Sequence, residues 1–133
     1  MSFGWRYDFS QARVERAPPI PAFLLPLRAR AADFLRVEPG ALEQGLVIRY
    51  DVGAGIGWHR DRPVFDQVFG LSLLSPCVLR FRRRHAGGFE RFALHASPRS
   101  AYLLSGEIRH DWEHSITPME ARRYSITFRS RLP

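Results

Sequence analysis

The sequence predicts a mainly β fold, a sandwich or barrel with one or two helices near its N-terminus. Two observations carry that class. Short runs with period-two alternation recur along most of the chain, separated by Gly, Pro and Ser punctuation. Only one stretch, between the early prolines and Pro39-Gly40, repeats its apolar residues at helical spacing. At 133 residues the chain is one domain, long enough to bury a core without covalent staples. We divide it into an N-terminal strand and helix over residues 3–44 and a strand-rich core over residues 45–130.

Phe3, Trp5, Tyr7 and Phe9 are aromatic at every second position, the period of a strand. Pro18, Pro19 and Pro21 break the chain. Phe23, Leu27, Ala31 and Phe34/Leu35 then mark the buried stripe of a helix, with Arg28, Arg30, Asp33 and Arg36 outside it. Pro26 fits such a helix only in its first turn, where a missing N–H costs little. Pro39-Gly40 closes the element. Leu46–Tyr50 reads as a strand, and Gly53, Gly55 and Gly57 form a flexible link towards His59. Further strands are expected at Val68–Leu74, Val78–Arg82, Phe89–Leu94, Ala101–Leu104 and Tyr124–Phe128, with a hairpin at His85-Ala-Gly-Gly88.

Composition narrows the partners. Net charge is +7, and all twenty basic residues are arginine, whose planar fork grips phosphates and carboxylates bidentately. Such a surplus suits a polyanion. The single cysteine, Cys77, lies in an apolar run and reads as a buried thiol, which excludes an intrachain disulfide. No secretory signal is visible and no apolar run is long enough for a bilayer, so a cytoplasmic protein with no membrane partner is expected.

His59-Arg60-Asp61 and the distant His114 offer two imidazoles and a carboxylate, the set that leaves a ferrous ion with open positions. In an extended segment His59 and Asp61 share a face, so both can reach one ion. The alternation of Arg123-Tyr-Ser-Ile-Thr-Phe-Arg129 sends Tyr124, Ile126 and Phe128 towards a core. Arg123, Ser125, Thr127 and Arg129 face the other way, either lining a pocket for an anionic molecule or forming a solvated strand face. The two arginine Cα atoms would be about 20 Å apart at about 3.3 Å per residue.

With Arg49-Tyr50, Trp58 and Trp112-Glu-His-Ser-Ile116, these motifs resemble the AlkB family of iron(II)- and 2-oxoglutarate-dependent dioxygenases over about residues 3–129. The resemblance implies a double-stranded β-helix (jelly roll). It implies Fe(II) on His59, Asp61 and His114, with His110 the rival for the third place, and O2 as the second cosubstrate. It places the distal carboxylate of 2-oxoglutarate on Arg123 and Tyr50, with Ser125, Thr127 and Arg129 completing the cradle. Decarboxylation to succinate would accompany hydroxylation of a C–H bond, and a hydroxylated N-methyl group falls away as formaldehyde. Alkylated bases in DNA or RNA are the implied substrates, with a tRNA base, a protein side chain or a small molecule as alternatives. A nucleic-acid-binding module without turnover is a further one.

By the same resemblance, Trp5, with Tyr7 nearby, is the candidate for stacking on a flipped base, the alternative being an aromatic strand packed on the core. The charge of Arg80, Arg82, Arg83, Arg84 and Arg91 suits either the phosphate backbone or a solvated edge that discourages strand addition. Two departures stand out. Ile48 replaces the asparagine that commonly precedes Arg-Tyr, and Arg62-Pro63-Val64 follows the H-x-D motif where acidic residues are common. The chain begins close to the Trp5 strand, part of a lid by that resemblance, and reads as a short member lacking an N-terminal segment.

Overall fold

A computed structural model describes all 133 residues. In chain order it contains β1 (Ser2–Phe3), β2 (Trp5–Asp8), β3 (Arg13–Arg16), α1 (Leu25–Leu35), β4 (Leu42–Tyr50), β5 (Ile56–His59) and β6 (Phe65–Leu73). β7 (Cys77–His85), β8 (Gly88–Ala96), β9 (Ser100–Leu104), the short α2 (Glu107–His110), β10 (Glu113–Ile116) and β11 (Arg123–Arg131) follow. Single 3-10 turns precede α1 and β4.

The strands form a five-stranded sheet, β1-β4-β11-β6-β9, and a four-stranded sheet, β5-β10-β7-β8, with β2 and β3 as a separate hairpin. Every pairing is antiparallel. Two faced antiparallel sheets whose strand order jumps along the sequence make the expected jelly roll. One apolar cluster fills the space between the sheets and includes Val68, Leu79, Phe81, Leu104, Trp112 and Ile116. A second, with Leu24, Ala31, Ala32, Leu42, Ile126 and Phe128, lies under α1 on the outside of the larger sheet.

This three-layer stacking settles the two readings of the Arg123–Arg129 strand. Ile126 and Phe128 pack towards the helix, while Arg123, Ser125 and Thr127 are buried on the opposite face, towards the smaller sheet. A solvated face is excluded, because both sides of β11 are covered.

Other expectations need correction. The aromatic run from Phe3 to Phe9 is not one strand: Gly4, at φ +76°, breaks it, and a side chain there would collide with the Glu43 carbonyl. Phe3 joins the larger sheet, whereas Trp5 begins the hairpin. The helix buries Leu24, Ala31 and Ala32, with Leu27 and Leu35 partly covered, while Phe23 and Phe34 stay exposed. The helix crosses the sheet closely enough that alanines suit the contact and large rings fall outside it. Pro26 does sit in the first turn, but the helix ends at Arg36, in the left-handed conformation, before Pro39 is reached. β4 starts at Leu42, so the expected division after residue 44 falls inside a strand.

Candidate metal and cosubstrate site

His59 closes β5 and His114 lies on the adjacent β10, directly opposite it in register. Their rings are 4.3 Å apart. Asp61, in the segment leaving β5, places Oδ1 3.6 Å from His59 Nε2 and 3.8 Å from His114 Nε2. Antiparallel pairing therefore performs what the sequence separation conceals, bringing three donors within 4.8 Å of one another. This is the only such His/Cys/Asp/Glu grouping in the chain. His110, the alternative third ligand, is exposed in α2 and bonds Asp66 at 3.1 Å.

Two of the donors, His59 and Asp61, are held from behind. His59 Nδ1 donates to the Gly57 carbonyl at 2.9 Å, which leaves Nε2 with its lone pair towards Asp61. Arg129 Nε donates to Asp61 Oδ2 at 2.7 Å, and the same guanidinium reaches Gln44 and Thr127. Burial opposes the Asp61 charge, yet the Arg129 guanidinium and the His59 contact hold its carboxyl well below the usual carboxylate range. Burial and the neighbouring His59 ring push His114 down to about 4. His59 moves upward, chiefly through the Asp61 carboxylate beside it. At neutral pH the pocket thus offers a carboxylate and an unprotonated His114, the forms a divalent cation needs.

A narrow cavity leads from these donors between the sheets, past Thr127, Ser125, Tyr50, Ile48, Leu79 and Tyr102. Arg123 is wholly buried beside it, its guanidinium 5.1 Å from the Tyr50 ring centre. Nε donates to Ser72 at 2.9 Å, but Nη1 and Nη2 have no partner. A buried cation with two unused N–H-bearing nitrogens is costly unless an anion completes it. The distal carboxylate of 2-oxoglutarate has the charge and the paired acceptors to do so.

The structure therefore brings His59, Asp61, His114, Tyr50, Ser125, Thr127 and Arg129 around one space, with Arg123 buried against the Tyr50 ring at its end. Arg129 differs from the expected geometry in being engaged with Asp61, so it orients a metal ligand as well as bordering the cavity.

Three contributors escape sequence reading. Ser72 supports Arg123, Gln44 supports Arg129, and Tyr102 fills the cavity across from Gly70. Alternation in β9 puts Tyr102 on the same face as buried Leu104, the one available signal. Arg109 is also buried, with Nη2 donating to the Arg62 and Phe65 carbonyls, so it secures the segment after Asp61.

A second, open cleft of about 560 Å3 lies outside the metal donors, bordered by His59, Asp61, Arg60, Arg62, Arg6, Tyr7 and Phe9. The Arg62 guanidinium stands over the Tyr7 and Phe9 rings at 4.3 and 4.7 Å. Trp5 does not border this cleft. Its ring carries Arg16 and Arg131 at 4.1 and 4.4 Å, and its N–H donates to Glu43. Of the two expected base-stacking residues, the structure puts Tyr7 in the cleft and Trp5 outside it.

A jelly roll with a His–Asp–His centre beside a buried, anion-ready arginine defines an iron-dependent oxygenase that takes a keto acid cosubstrate. The model of the 2OG-Fe(II) oxygenase superfamily matches residues 2–129, and the chain belongs to that family. Among curated proteins it is 30% identical to an Arabidopsis thaliana protein described as an alkylated DNA repair protein ALKBH8 homolog, over 86% of this chain and 40% of that one. It is 27% identical to a mouse tRNA (carboxymethyluridine(34)-5-O)-methyltransferase ALKBH8, over 87% of this chain and 18% of the relative. The chain thus spans two fifths or less of these relatives' length. Among solved structures, OsALKBH1 superposes with a TM-score of 0.66 over 98% of this chain and 77% of that one, at 16% identity. A Pseudomonas putida prolyl-4-hydroxylase gives 0.54 over 81% and 62%, at 19%. These two likenesses bear on the fold. The family uses Fe(II), 2-oxoglutarate and O2. No helix is long and apolar enough to cross a membrane.

Proposed function

We propose that this chain oxidises an alkyl group on a nucleic-acid base, releasing it where the hydroxylated carbon is attached to nitrogen. The observation that supports this most is the open cleft at the metal donors, walled by two aromatic rings and arginines. A flipped base needs an aromatic surface to offset lost stacking, and its flanking phosphates need cations. The descriptions of the Arabidopsis and mouse relatives, both concerned with nucleic acids, support the same reading.

His59, Asp61 and His114 would hold Fe(II), and the cavity from Tyr50 to Arg123 would hold 2-oxoglutarate by its distal carboxylate. Together they supply oxidative hydroxylation of a C–H bond coupled to succinate formation. The remaining work belongs to the chain. Arg129 fixes Asp61, Gly57 fixes the His59 tautomer, and Arg123 sets the depth of the cosubstrate. Ile48, Leu79 and Ile116 keep water from the cavity between them.

The test is anaerobic purification followed by Fe(II), 2-oxoglutarate and methylated oligonucleotides, with succinate and formaldehyde measured. Both products should appear and both should vanish in His59→Ala. Succinate without formaldehyde would keep the oxygenase and remove the demethylation reading.

The cleft also favours bases that carry no positive charge. Its one carboxylate, Asp61, is already paired with Arg129, leaving no free carboxylate for a cationic methylated base among Arg6, Arg60 and Arg62. A neutral or acidic modified base, as in the tRNA named for the mouse relative, meets no such repulsion.

A further inference from the structure

The outer face of the smaller sheet carries a feature that the oxygenase site does not use. On β7, Arg80, Arg82 and Arg84 point away from the core in alternation with buried Leu79 and Phe81. β8 adds Arg91, directly opposite Arg82, and Phe89, directly opposite Arg84. β5 contributes Trp58 to the same face. Arg80 and Arg82 stand over the Trp58 ring at 5.0 and 4.3 Å. Arg82, Arg84 and Arg91 stand around the Phe89 ring at 4.6, 5.1 and 5.4 Å. The rings hold the guanidiniums along the sheet; Arg80 Nε donates to Ser115 and Arg82 Nε to Glu113, while Arg84 and Arg91 keep their N–H edges free to donate.

The charge on this face is almost uncompensated. Glu113 is the carboxylate that meets it, pairing with Arg82 at 3.1 Å. Arg83, whose side chain turns to the other side, is the contrast: Glu90 and Glu107 neutralise it, and Trp112 lies beneath it. Of the five arginines grouped by sequence, Arg82 and Arg83 are thus paired with carboxylates, and Arg80, Arg84 and Arg91 are exposed without one.

Charges on a sheet often serve to prevent unwanted strand addition, and Arg91 on the edge strand β8 could be explained so. Arg80, Arg82 and Arg84 cannot. β7 lies between β10 and β8, so its backbone has no free edge to protect. Placing Arg82 opposite Arg91 also costs folding energy by like-charge repulsion. An anion spanning the two strands would relieve it.

We infer that this face is a docking surface for the phosphate backbone of a single-stranded nucleic acid, separate from the catalytic cleft. The row of arginines along one strand matches a linear polyanion, and the aromatic rings between them suit bases that are not already stacked in a duplex. The identity of the polyanion rests on the nucleic-acid reading above. The surface itself does not, and it is tested without turnover.

The experiment is fluorescence anisotropy of labelled single-stranded and duplex oligonucleotides with metal-free protein, across a salt series. The R84E/R91E variant should bind the single strand at least about tenfold more weakly at low salt. Its slope of log affinity against log salt should flatten by about 1.4, because two phosphates are no longer neutralised, at about 0.7 each. Metal affinity and succinate formation without nucleic acid should be unchanged, and R84K/R91K should retain most of the binding. Unchanged affinity and slope would overturn the proposal. So would an R84E/R91E variant that loses phosphatidylserine vesicles and keeps the oligonucleotides. Intact docking in a protein that fails to release formaldehyde would instead count against the demethylation reading alone.

Discussion

Arg123 shows how a single residue can be expensive until its partner arrives. Its side chain is wholly buried with two nitrogens unpartnered. Arg123→Met should therefore weaken 2-oxoglutarate binding about 10–100-fold, in line with about 1.5–3 kcal/mol for hydrogen bonds to a charged group. The same change should leave the urea midpoint of the cosubstrate-free protein unchanged or higher, because an unpaired buried charge is removed. Cosubstrate titration and urea unfolding check the two halves separately. His114 gives a pH prediction. Its folded value of about 4 lies below the ordinary 6.5, so between those limits the unfolded chain binds more protons. Stability of the metal-free protein should fall as pH drops through that window. His59, shifted upward, acts above 6.5, and Asp61, shifted downward, acts below 3.8, so neither cancels it there. Urea midpoints between pH 4 and 7 measure the limb, which His114→Gln should flatten.

At the scale of elements, the sheets decide which residues meet. The H-x-D spacing and the double-arginine strand were legible because both depend on local alternation. The contacts of β11 with β6 and β4 were not, so Ser72 and Gln44 went unseen as the supports of Arg123 and Arg129. Phe23 and Phe34 misled because helical spacing identifies a stripe but not how closely a sheet lies against it. Tyr102 lies over Gly70 on the neighbouring strand, where any added side chain would enter its ring. Gly70→Ala should cost about 1–3 kcal/mol by overpacking and weaken 2-oxoglutarate binding by displacing the tyrosine. In a Tyr102→Ala background the same substitution should cost much less, measured by chemical denaturation.

At the scale of the whole molecule, the sandwich-or-barrel class followed from strand count and punctuation, and the family resemblance supplied the jelly-roll winding. The third layer was not legible: α1 covers the outside of the larger sheet and makes both faces of β11 interior. The two sheets share no hydrogen-bonded strand, and the metal donors cluster on and beside the smaller one while the cosubstrate cradle lies on the larger. Adding Mn(II) as a redox-silent stand-in, and then 2-oxoglutarate, should raise the unfolding temperature in two steps. Ligand-linked stabilisation is about 2.7 kcal/mol at a hundredfold excess over Kd. The second step should shrink sharply when the metal is omitted, as differential scanning fluorimetry would show.

The Arg129–Asp61 bond crosses from β11 to the segment beyond β5. It is thus a clasp between the two walls, closed before any ion arrives. If Asp61 binds the ion as proposed, a protein fastened this way begins each loading cycle with that carboxylate already aimed, and pays little ordering entropy when the ion enters. Its dependence on that clasp also means that a change at residue 129, in the last strand, would be felt first as a loosened centre rather than as a lost fold.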